Sequence, residues 1–249
     1  MKTIAFIPAR FQSTRFQGKP LALIAGKPMI QHVYRSAGEC SGIDSVYVAT
    51  DDQRIYDCVM AFGGQAVMTK KEHLSGTDRI AEAAGLIHLD NDDILVNIQG
   101  DQPLFQPSII TDLIAPLKED TEIPMSTLMY KIKDIEAVND TNNVKVVVDK
   151  NGFALYFSRL PVPFYRDHET KTLYYKHLGF YAYRKEFLML YTGLSHSLLE
   201  EAEKLEQLRA LEYGFRIKAI ETLFDSIDVN TPEDIAKVEK QLSQLNHEA

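Results

Sequence analysis

Cysteine is almost absent from this chain of 249 residues, in which Cys40 and Cys58 are the only two. Two cysteines cannot build a framework of disulfides or a thiolate metal site, so neither kind of protein is expected. Reduced thiols are instead typical of cytosolic proteins. The cysteine content therefore predicts a cytoplasmic protein that is held together by an ordinary hydrophobic core.

Long apolar runs are also missing. No stretch approaches the roughly 20 apolar residues that a transmembrane helix needs. The run Ile4–Ile7 is too short for the core of a signal peptide. The sequence shows neither repeats of solenoid period nor low-complexity segments. These absences predict a globular protein with no membrane partner.

Positive charge is in deficit, since 27 Lys and Arg residues face 35 Asp and Glu residues and the net charge is −8. Nucleic-acid-binding proteins usually carry a basic surplus, so no nucleic-acid partner is expected. Two nucleotide-binding fingerprints are absent as well. Gly18-Lys19 is followed by Pro20, which rules out GxxxxGK[ST], and GxGxxG does not occur. The second absence argues against an NAD-linked oxidoreductase, but an acidic chain can still hold a small anion in a local cationic pocket.

The first half of the chain alternates between apolar strands and amphipathic helices. Strands are predicted over 3–8, 45–50, 65–68 and 94–98, with helices over 28–39, from 51–52 toward 61, over 77–89 and over 107–117. This alternation predicts an α/β fold with a mainly parallel central sheet and helices on both faces. Ligands of such sheets bind beyond the carboxyl ends of the strands.

The second half has a different pattern, with strands over 125–132, 144–148, 154–158 and 175–183 and no full helices between them. Asp149-Lys-Asn-Gly152 is typical of a hairpin turn. We therefore expect one domain over 1–249, in which 125–185 forms an antiparallel subdomain or dimer arm. The remaining predicted elements are a helix over Leu198–Tyr213, a strand over 217–220 and a last helix from Thr231-Pro232.

The segment after the first strand, Ile7–Pro20, carries three cations: Arg10, Arg15 and Lys19. A loop between a strand and a helix offers backbone N–H groups, and cationic side chains add charge that suits phosphate oxygens. The same trio is equally typical of a solvated basic turn. The loop therefore raises the hypothesis of a phosphate site without deciding it.

Asp101 follows a second buried strand, within the segment VNIQGDQP. A carboxylate beside a phosphate site makes chemical sense if Mg²⁺ lies between them, because Mg²⁺ binds both carboxylates and phosphate oxygens. Taken alone, the segment is also typical of a plain Gly-Asp turn. In SGTDR, Ser75 or Thr77 can cap a helix, whereas Arg79 opposes the helix dipole and so indicates an anionic partner.

Candidate residues in the second half are weaker on their own chemistry. His177 lies in the aromatic strand YKHLGFYAY, where a histidine is more often a packed core residue than a catalytic one. Glu206 and Gln207 fall on the predicted helix beside Leu205 and Leu208, which face the core. A solvent-exposed helix face is their default interpretation.

Taken in order, eight motifs resemble those of one family. They are IPARxxSTRxxGKPL, ATDD, SGTDR, NxQGDxP, ALYFSR, HLGxYxYR, LEQLR and TPED, and they span Ile7 to about Asp234. The set is similar to that of the 3-deoxy-manno-octulosonate (Kdo) cytidylyltransferases, the CMP-Kdo synthetases of Gram-negative bacteria. The resemblance implies a Rossmann-like nucleotidyltransferase fold, a homodimer and a role in lipopolysaccharide biosynthesis. It also implies the reaction: CTP and Kdo give CMP-Kdo and pyrophosphate with Mg²⁺ as cofactor.

The resemblance implies roles for individual residues as well. Those expected to bind the nucleotide are Pro8, Ala9, Arg10, Arg15, Lys19, Ser75 and Thr77. Those expected to line the sugar pocket are Arg79, Gln99, His177, Glu206 and Gln207. Arg10, Lys19 and Asp101 would be the catalytic residues, and Asp101 would also bind Mg²⁺.

The chain departs from the family pattern at the second metal ligand. Family members carry Gly-Val-Asp before Thr-Pro-Glu-Asp, whereas this chain reads Asp228-Val-Asn230. Asparagine offers Mg²⁺ a carbonyl oxygen but no charge. Either Asn230 or Asp228 is therefore the expected second ligand.

Three alternatives to a Kdo enzyme follow from these segments. The stretches around Phe224, Lys176 and Lys204 look more like a branch that activates 8-amino-3,8-dideoxy-manno-octulosonate, whose ammonium would suit Asp225 or Asp228. A CMP-sialate-type or other sugar nucleotidyltransferase is the second alternative, and HLGxYxYR and LEQLR argue against it. The third is a nucleotide-binding homologue with impaired catalysis, which Asn230 would favour.

Overall fold

The computed structural model describes residues 1–13, 16–167 and 173–248. The chain divides into two compact units, one formed by Met1–Thr111 with Ser226–Ala249 and the other by Asp112–Asp225. None of the helices within the described ranges is long and apolar enough to cross a membrane.

The first unit is built from alternating strands and helices. Its elements are β1 (Thr3–Ala9), β2 (Leu23–Ile24), β3 (Lys27–Pro28), α1 (Met29–Gly38), β4 (Ser45–Thr50), α2 (Gln53–Ala61), β5 (Ala66–Met68), α3 (Gly76–Leu86) and β6 (Ile94–Asn97). Helix α4 (Ser108–Glu119) begins in this unit. Helix α2 starts where predicted, because the Asp52 carboxylate accepts a hydrogen bond from the Arg54 N–H at 3.0 Å.

Strands of the first unit lie in the order β6-β1-β4-β5, and all three pairs are parallel. Parallel crossovers are right-handed, so α1 and α2 lie on one face of these strands and α3, which leads back to β6, lies on the other. The chain thus leaves β1 toward one side and returns beside it at β6. Ligands of α/β sheets bind at such a switch point.

The second unit is mainly antiparallel, as predicted. Its elements are β7 (Met125–Lys131), α5 (Ile135–Asn139), β8 (Lys145–Val148), β9 (Ala154–Ser158), β10 (Tyr175–Arg184), α6 (Lys185–Thr192), α7 (Leu198–Glu203), α8 (Leu208–Glu212) and β11 (Ile217–Thr222). Strand β10 pairs antiparallel with β7 and β8, and β8 pairs antiparallel with β9. Strand β11 pairs parallel with β7.

The predicted hairpin turn between β8 and β9 is confirmed. The Asp149 carboxylate accepts hydrogen bonds from the N–H groups of Asn151 and Phe153, both at 2.8 Å. Gly152 has φ +75°, a conformation that favours glycine. The side chain of Asp149 and the conformation of Gly152 therefore explain why this sequence turns here.

The predicted helix over Leu198–Tyr213 is wrong, because the structure divides it into α7 and α8. Lys204 ends α7 in the left-handed conformation, with φ 55°. The carbonyl of Glu203 accepts a hydrogen bond from Arg159 Nε at 2.8 Å, and that of Glu206 accepts one from the Tyr191 hydroxyl at 2.6 Å besides one from the Arg209 N–H at 3.1 Å. Tertiary partners thus compensate for the lost helical hydrogen bonds.

The last helix, α9 (Pro232–Glu248), returns to the first unit and begins at the predicted proline. Its first turn holds the preceding chain, since the Asp234 carboxylate accepts hydrogen bonds from the N–H groups of Asn230 and Thr231, both at 3.0 Å. The bond with Lys237 and these N–H groups lower the pKa of Asp234 to about 2. The residues that precede α9 therefore have a defined backbone position.

Candidate active site

A cleft in the first unit lies at the carboxyl ends of β1 and β6. Its described lining residues come from three places: the end of β1 and the loop after it, the loop before α3 together with the start of that helix, and the loop after β6. They are Pro8, Ala9, Arg10, Ser13, Lys19, Pro20, His73, Ser75, Gly76, Arg79, Gln99, Gly100 and Asp101. The structure therefore brings together eight of the residues that the sequence assigned to the nucleotide, the sugar or the metal.

The loop after β1 is anchored by its apolar and glycine residues. Gly18 has φ +71°, and its N–H donates to the Phe11 carbonyl at 2.9 Å. The Arg54 guanidinium lies 3.3 Å from the centroid of the Phe11 ring and also pairs with Asp52. These contacts hold the loop while Arg10 stays exposed at the cleft. Arg15 lies outside the described residues, so its predicted phosphate contact stays a prediction.

Lys19 and Asp101 form the centre of the cleft's polar wall. Lys19 Nζ lies 2.7 Å from Asp101 Oδ2 and donates to the Val229 carbonyl at 2.9 Å. The lysine that was predicted to contact phosphate is thus joined to the aspartate that was predicted to bind metal. One ammonium cannot neutralise both a carboxylate and a triphosphate, so a bound nucleotide would call for further positive charge at this wall.

The two candidates for the second metal ligand, Asp228 and Asn230, belong to a segment that is close to Asp101 in space although distant in sequence. The Val229 N–H donates to the Asp101 carbonyl at 2.8 Å, which places residues 228–230 beside it. The Asp228 carboxylate accepts a hydrogen bond from the buried Gln102 amide at 2.7 Å. Neither Asn230 nor Asp228 is among the described residues that line the cleft.

The start of α3 forms another wall of the cleft. Ser75 is the helix cap, since its hydroxyl accepts a hydrogen bond from the Asp78 N–H at 3.0 Å. Ser75 lines the cleft, whereas Thr77 is buried and is not among the described lining residues. A Cβ on Gly76 would lie 3.1 Å from the Pro8 ring, so a larger residue there would force the α3 N-terminus and β1 apart by a few tenths of an ångström.

Gly100 has the same role on the opposite wall. A Cβ at this position would lie 2.9 Å from the Pro8 carbonyl oxygen, which belongs to the backbone and cannot move aside. The loop that carries Asp101 therefore passes against the end of β1 because residue 100 has no side chain. In the motif NxQGDxP, close packing thus explains the glycine, and the aspartate supplies a carboxylate to the cleft.

Arg79 lines the cleft but is already bound within the protein. Its Nη1 donates to the Thr69 hydroxyl at 2.6 Å and to the Lys70 carbonyl at 3.2 Å, and it lies 3.5 Å from Asp51 Oδ1. Burial lowers the pKa of Arg79, and Asp51 opposes that effect. An arginine keeps its charge in any such setting, so Arg79 contributes a fixed positive charge to the wall.

The sequence-based reasoning missed His73, Ser13 and Pro20, which also line the cleft. His73 Nε2 lies 2.5 Å from Glu82 Oε2. The signal that could have found His73 is its place in the loop between β5 and α3, which is another carboxyl-end loop of the parallel strands. It received no attention because SGTDR, two residues further on, has the stronger motif.

Three predicted sugar-pocket residues lie in the second unit, and Arg79 and Gln99 lie in the first. His177 Nε2 is 2.9 Å from Thr127 Oγ1, and its ring packs on Phe157 and Tyr181. Burial lowers the pKa of His177 to about 3, so the imidazole is neutral at physiological pH. His177 is therefore packed among aromatic rings, as its sequence context indicated.

Glu206 and Gln207 lie in the turn that separates α7 from α8. Gln207 is only 4% exposed, which overturns the default interpretation of a solvated helix face. Its Nε2 has no hydrogen-bond partner among the described residues. A buried amide donor without a partner costs free energy, which a ligand or an ordered water that accepts its hydrogen bond would recover.

Comparison with known proteins identifies the family. The cytidylyltransferase family model matches residues 4–222. The 3-deoxy-manno-octulosonate cytidylyltransferase of Syntrophus aciditrophicus (strain SB) is 52% identical and covers 95% of this chain and 96% of its own length. The chain belongs to the 3-deoxy-manno-octulosonate cytidylyltransferase family. This confirms the resemblance drawn from the eight motifs and makes the protein an enzyme of the nucleotidyltransferase class.

Other members of the 3-deoxy-manno-octulosonate cytidylyltransferase family agree. The protein of that name from Desulfosudis oleivorans is 50% identical over 98% of this chain and 99% of its own. The structure of CMP:2-keto-3-deoxy-manno-octonic acid synthetase complexed with CTP is 43% identical, with a TM-score of 0.92, and the match covers 98% of this chain and 99% of that one. The predicted nucleotidyltransferase fold is therefore confirmed.

Proposed function

We propose that this cytidylyltransferase transfers the cytidylyl group of CTP to Kdo in the cytoplasm, giving CMP-Kdo and pyrophosphate for lipopolysaccharide biosynthesis. The observation that carries the proposal is the cleft at the ends of β1 and β6, where Arg10, Lys19 and Asp101 converge. Support comes from two relatives named 3-deoxy-manno-octulosonate cytidylyltransferase, which match almost the full length of the chain.

The proposed reaction is a displacement at the α-phosphorus of CTP. The anomeric oxygen of the sugar forms a bond to that phosphorus, the bond to the bridging oxygen breaks, pyrophosphate leaves, and the hydroxyl proton passes to solvent. Such a step needs positioning and stabilisation of charge more than covalent help from the protein. The exposed guanidinium of Arg10 binds phosphate oxygens, and the backbone of Pro8 and Ala9 orients the nucleotide.

A divalent cation fits the residues around Asp101. The carboxylate faces the cleft and one of its oxygens is held by Lys19, and the hydrogen bond from the Val229 N–H to the Asp101 carbonyl places the backbone of residues 228–230 beside it. Carboxylate and carbonyl oxygens are the ligands that Mg²⁺ prefers. When bound, Mg²⁺ would neutralise the charge that develops on the phosphates. Asn230 or Asp228, whose carboxylate accepts a hydrogen bond from Gln102, would supply the second ligand.

His177 and Gln207 offer complementary groups to a polyhydroxy acid. Thr127 donates its hydroxyl hydrogen to the Phe180 carbonyl at 2.7 Å, so toward His177 it accepts and His177 Nε2 carries the proton. In a neutral imidazole Nδ1 is then an acceptor, suited to a sugar hydroxyl. The buried Gln207 amide is a donor, suited to a sugar hydroxyl or carboxylate oxygen.

The contacts of the Asp225 and Asp228 carboxylates favour Kdo over its 8-amino analogue. The ammonium of the amino sugar would need an acidic partner, and Asp225 and Asp228 were the candidates. Lys176 Nζ donates to Asp225 at 2.9 Å, and Gln102 donates to Asp228. Both carboxylates thus already bind donors of the protein, so Kdo, which brings no ammonium, is the sugar that this chain suits.

The function is tested by pyrophosphate release with all substrates and with each one omitted. We expect release only when CTP, Mg²⁺ and a sugar acid are present together, and a higher kcat/KM for Kdo than for 8-amino-Kdo when the two compete. No release with either sugar would refute the proposal. Tight CTP binding without turnover would identify an impaired homologue, and turnover with sialic acid alone would identify a different sugar nucleotidyltransferase.

We also infer that the protein is a homodimer through the 125–185 arm. An apolar groove of the second unit is lined by side chains of β8, β9 and the segment around Pro163. Large apolar side chains beside it are exposed, with Phe164 at 85% and Leu155 at 62%. Such a patch is unfavourable in water and fits a second copy of the same chain. Light scattering should give twice the mass of 28.2 kDa, and a monomer at micromolar concentration would contradict this inference.

A further inference from the structure

His73 stands between two polar cavities of the first unit. It lines the cleft, and together with Arg10, Ser13 and Arg79 it also lines a neighbouring cavity. The further lining residues of that second cavity are Gln12, Gln17, Asp51 and Lys71. One wall shared by the two cavities therefore carries two arginines and a histidine.

Glu82 holds the His73 ring in place. Both side chains are 19% exposed, and Nε2 lies 2.5 Å from Glu82 Oε2. The same oxygen accepts a hydrogen bond from the Lys70 N–H at 2.8 Å, which ties the loop between β5 and α3 to the helix. Burial raises the pKa of Glu82, but His73 and Lys70 outweigh it and the net pKa is lowered. Glu82 is thus a carboxylate, so Nε2 is the donor of this bond.

The charged side chains around His73 indicate which kind of ligand this wall can bind. Arg10 faces it from the loop after β1, Arg79 from α3 and Lys71 from its own loop, against Asp51 from the end of β4 and Glu82 from α3. Among the described residues, these three cations outnumber the two carboxylates. Each carboxylate already has a partner, since Glu82 is paired with His73 and Asp51 lies beside Arg79. A histidine beside an arriving anion can take up a proton and donate from both ring nitrogens. Phosphate oxygens are the acceptors that such a wall suits.

We propose that His73 is a further phosphate-contacting residue for the nucleotide, with Glu82 as the residue that positions it. The proposal rests on the proposed function, because the phosphates are those of CTP or of the pyrophosphate that leaves. As a donor from both ring nitrogens, His73 adds positive charge that the Lys19–Asp101 pair cannot supply by itself.

The test compares His73→Gln, Glu82→Gln and the wild-type enzyme by calorimetry with CTP, pyrophosphate and CMP, and by steady-state kinetics. We expect His73→Gln to lose about 10-fold in affinity for CTP and for pyrophosphate, which corresponds to about 1.4 kcal/mol, but to bind CMP as the wild type does. KM for CTP should rise while KM for the sugar acid is unchanged. Glu82→Gln should show a smaller loss of the same kind.

A merely structural role is separated by the choice of ligand. Loss of structure would weaken the binding of CMP and CTP alike, whereas loss of a phosphate contact weakens the binding of CTP and pyrophosphate and leaves CMP binding unchanged. The matched control is His88→Gln at an exposed position after α3, which should not change the affinity for any of the three ligands. Thermal unfolding shows whether each variant is folded, and Glu82→Gln, which keeps an acceptor for the Lys70 N–H, serves if His73→Gln is not.

Two results would overturn the proposal. One is a His73→Gln enzyme that binds CTP as tightly as the wild type does. The other is an equal loss of affinity for CTP and CMP, which would place the ring against the nucleoside. A failure of the proposed function is recognised separately, because the wild type would then release no pyrophosphate with any of the substrates.

Discussion

Asp101→Asn is expected to lower kcat/KM for the cytidylyl transfer by about 100-fold or more, while the free energy of unfolding falls by only about 1 kcal/mol. Lys19 Nζ lies 2.7 Å from the Asp101 carboxylate in the wild-type protein. Asparagine keeps the size of the side chain and an oxygen that can accept this hydrogen bond. It loses the negative charge that a divalent cation needs. The two side chains are 16% and 32% exposed, so their ion pair contributes modestly to stability. Pyrophosphate release at several Mg²⁺ concentrations, together with urea unfolding, measures both quantities.

The matched control for this substitution is Asp92→Asn. Asp92 is an exposed acid just before β6, at the opposite end of that strand from Asp101. It should leave kcat/KM unchanged, since surface substitutions far from a site have small effects. An Asp101→Asn enzyme with nearly wild-type kcat/KM at saturating Mg²⁺ would remove Asp101 from the metal site and from the mechanism.

Arg209→Met is expected to lower the free energy of unfolding by about 3–5 kcal/mol, the largest effect on stability that we predict. Arg209 and Glu200 are both buried and share two hydrogen bonds, from Nε at 2.7 Å and from Nη2 at 2.5 Å. Removal of the guanidinium leaves a carboxylate in the core of the second unit without its charged partner. Urea unfolding followed by circular dichroism measures the loss.

The pH dependence of this stabilisation follows from Glu200. Burial alone would raise its pKa, but the bonds from Arg209 and the Ser197 N–H outweigh burial and lower it below the usual 4.5. The pair therefore stabilises the fold fully above that pH and loses its effect as the pH falls through the lowered value. Arg209→Met should accordingly flatten the acid side of the stability profile.

Two further variants test whether the effect comes from the buried pair. Glu200→Gln combined with Arg209→Met should recover part of the stability, because no unpaired charge is then buried. Arg216→Met removes an exposed arginine that is 3.9 Å from Asp149, and it should cost at most about 1 kcal/mol. Equal effects of Arg209→Met and Arg216→Met would show that burial adds nothing to the Glu200 pair.

A functional consequence accompanies the loss of Arg209. The guanidinium lies 5.1 Å from the centroid of the Tyr191 ring, and the Tyr191 hydroxyl holds the carbonyl of Glu206. These contacts keep the turn between α7 and α8 in place, and with it the buried amide of Gln207. KM for the sugar acid should therefore rise in Arg209→Met more than KM for CTP does.

The pattern of the first half was sufficient to predict its longer elements, whereas the two-residue strands β2 and β3 were missed. Strand β4 begins and ends where predicted, and Asp52, Ser75 and Pro232 begin helices as their side-chain chemistry requires. Local signals of this kind act between residues a few positions apart, so they can be read from the sequence. The helix predicted over Leu198–Tyr213 failed because its hydrophobic spacing was periodic, whereas the break at Lys204 depends on Tyr191 and Arg159, which are distant in sequence.

Motifs and periodicity are local or are carried in order along the chain, so they were enough to predict the family and the alternating α/β order of the first half. They also singled out Arg10, Lys19 and Asp101, which line the cleft. The three-dimensional fold was needed to show that Lys19 pairs with Asp101, that Arg79 is bound by Thr69 and that His73 lines the cleft. Each of these depends on which loops meet at the ends of parallel strands. That meeting is set by strand order and by the missing side chain of Gly100, whose neighbour Pro8 is far away in sequence.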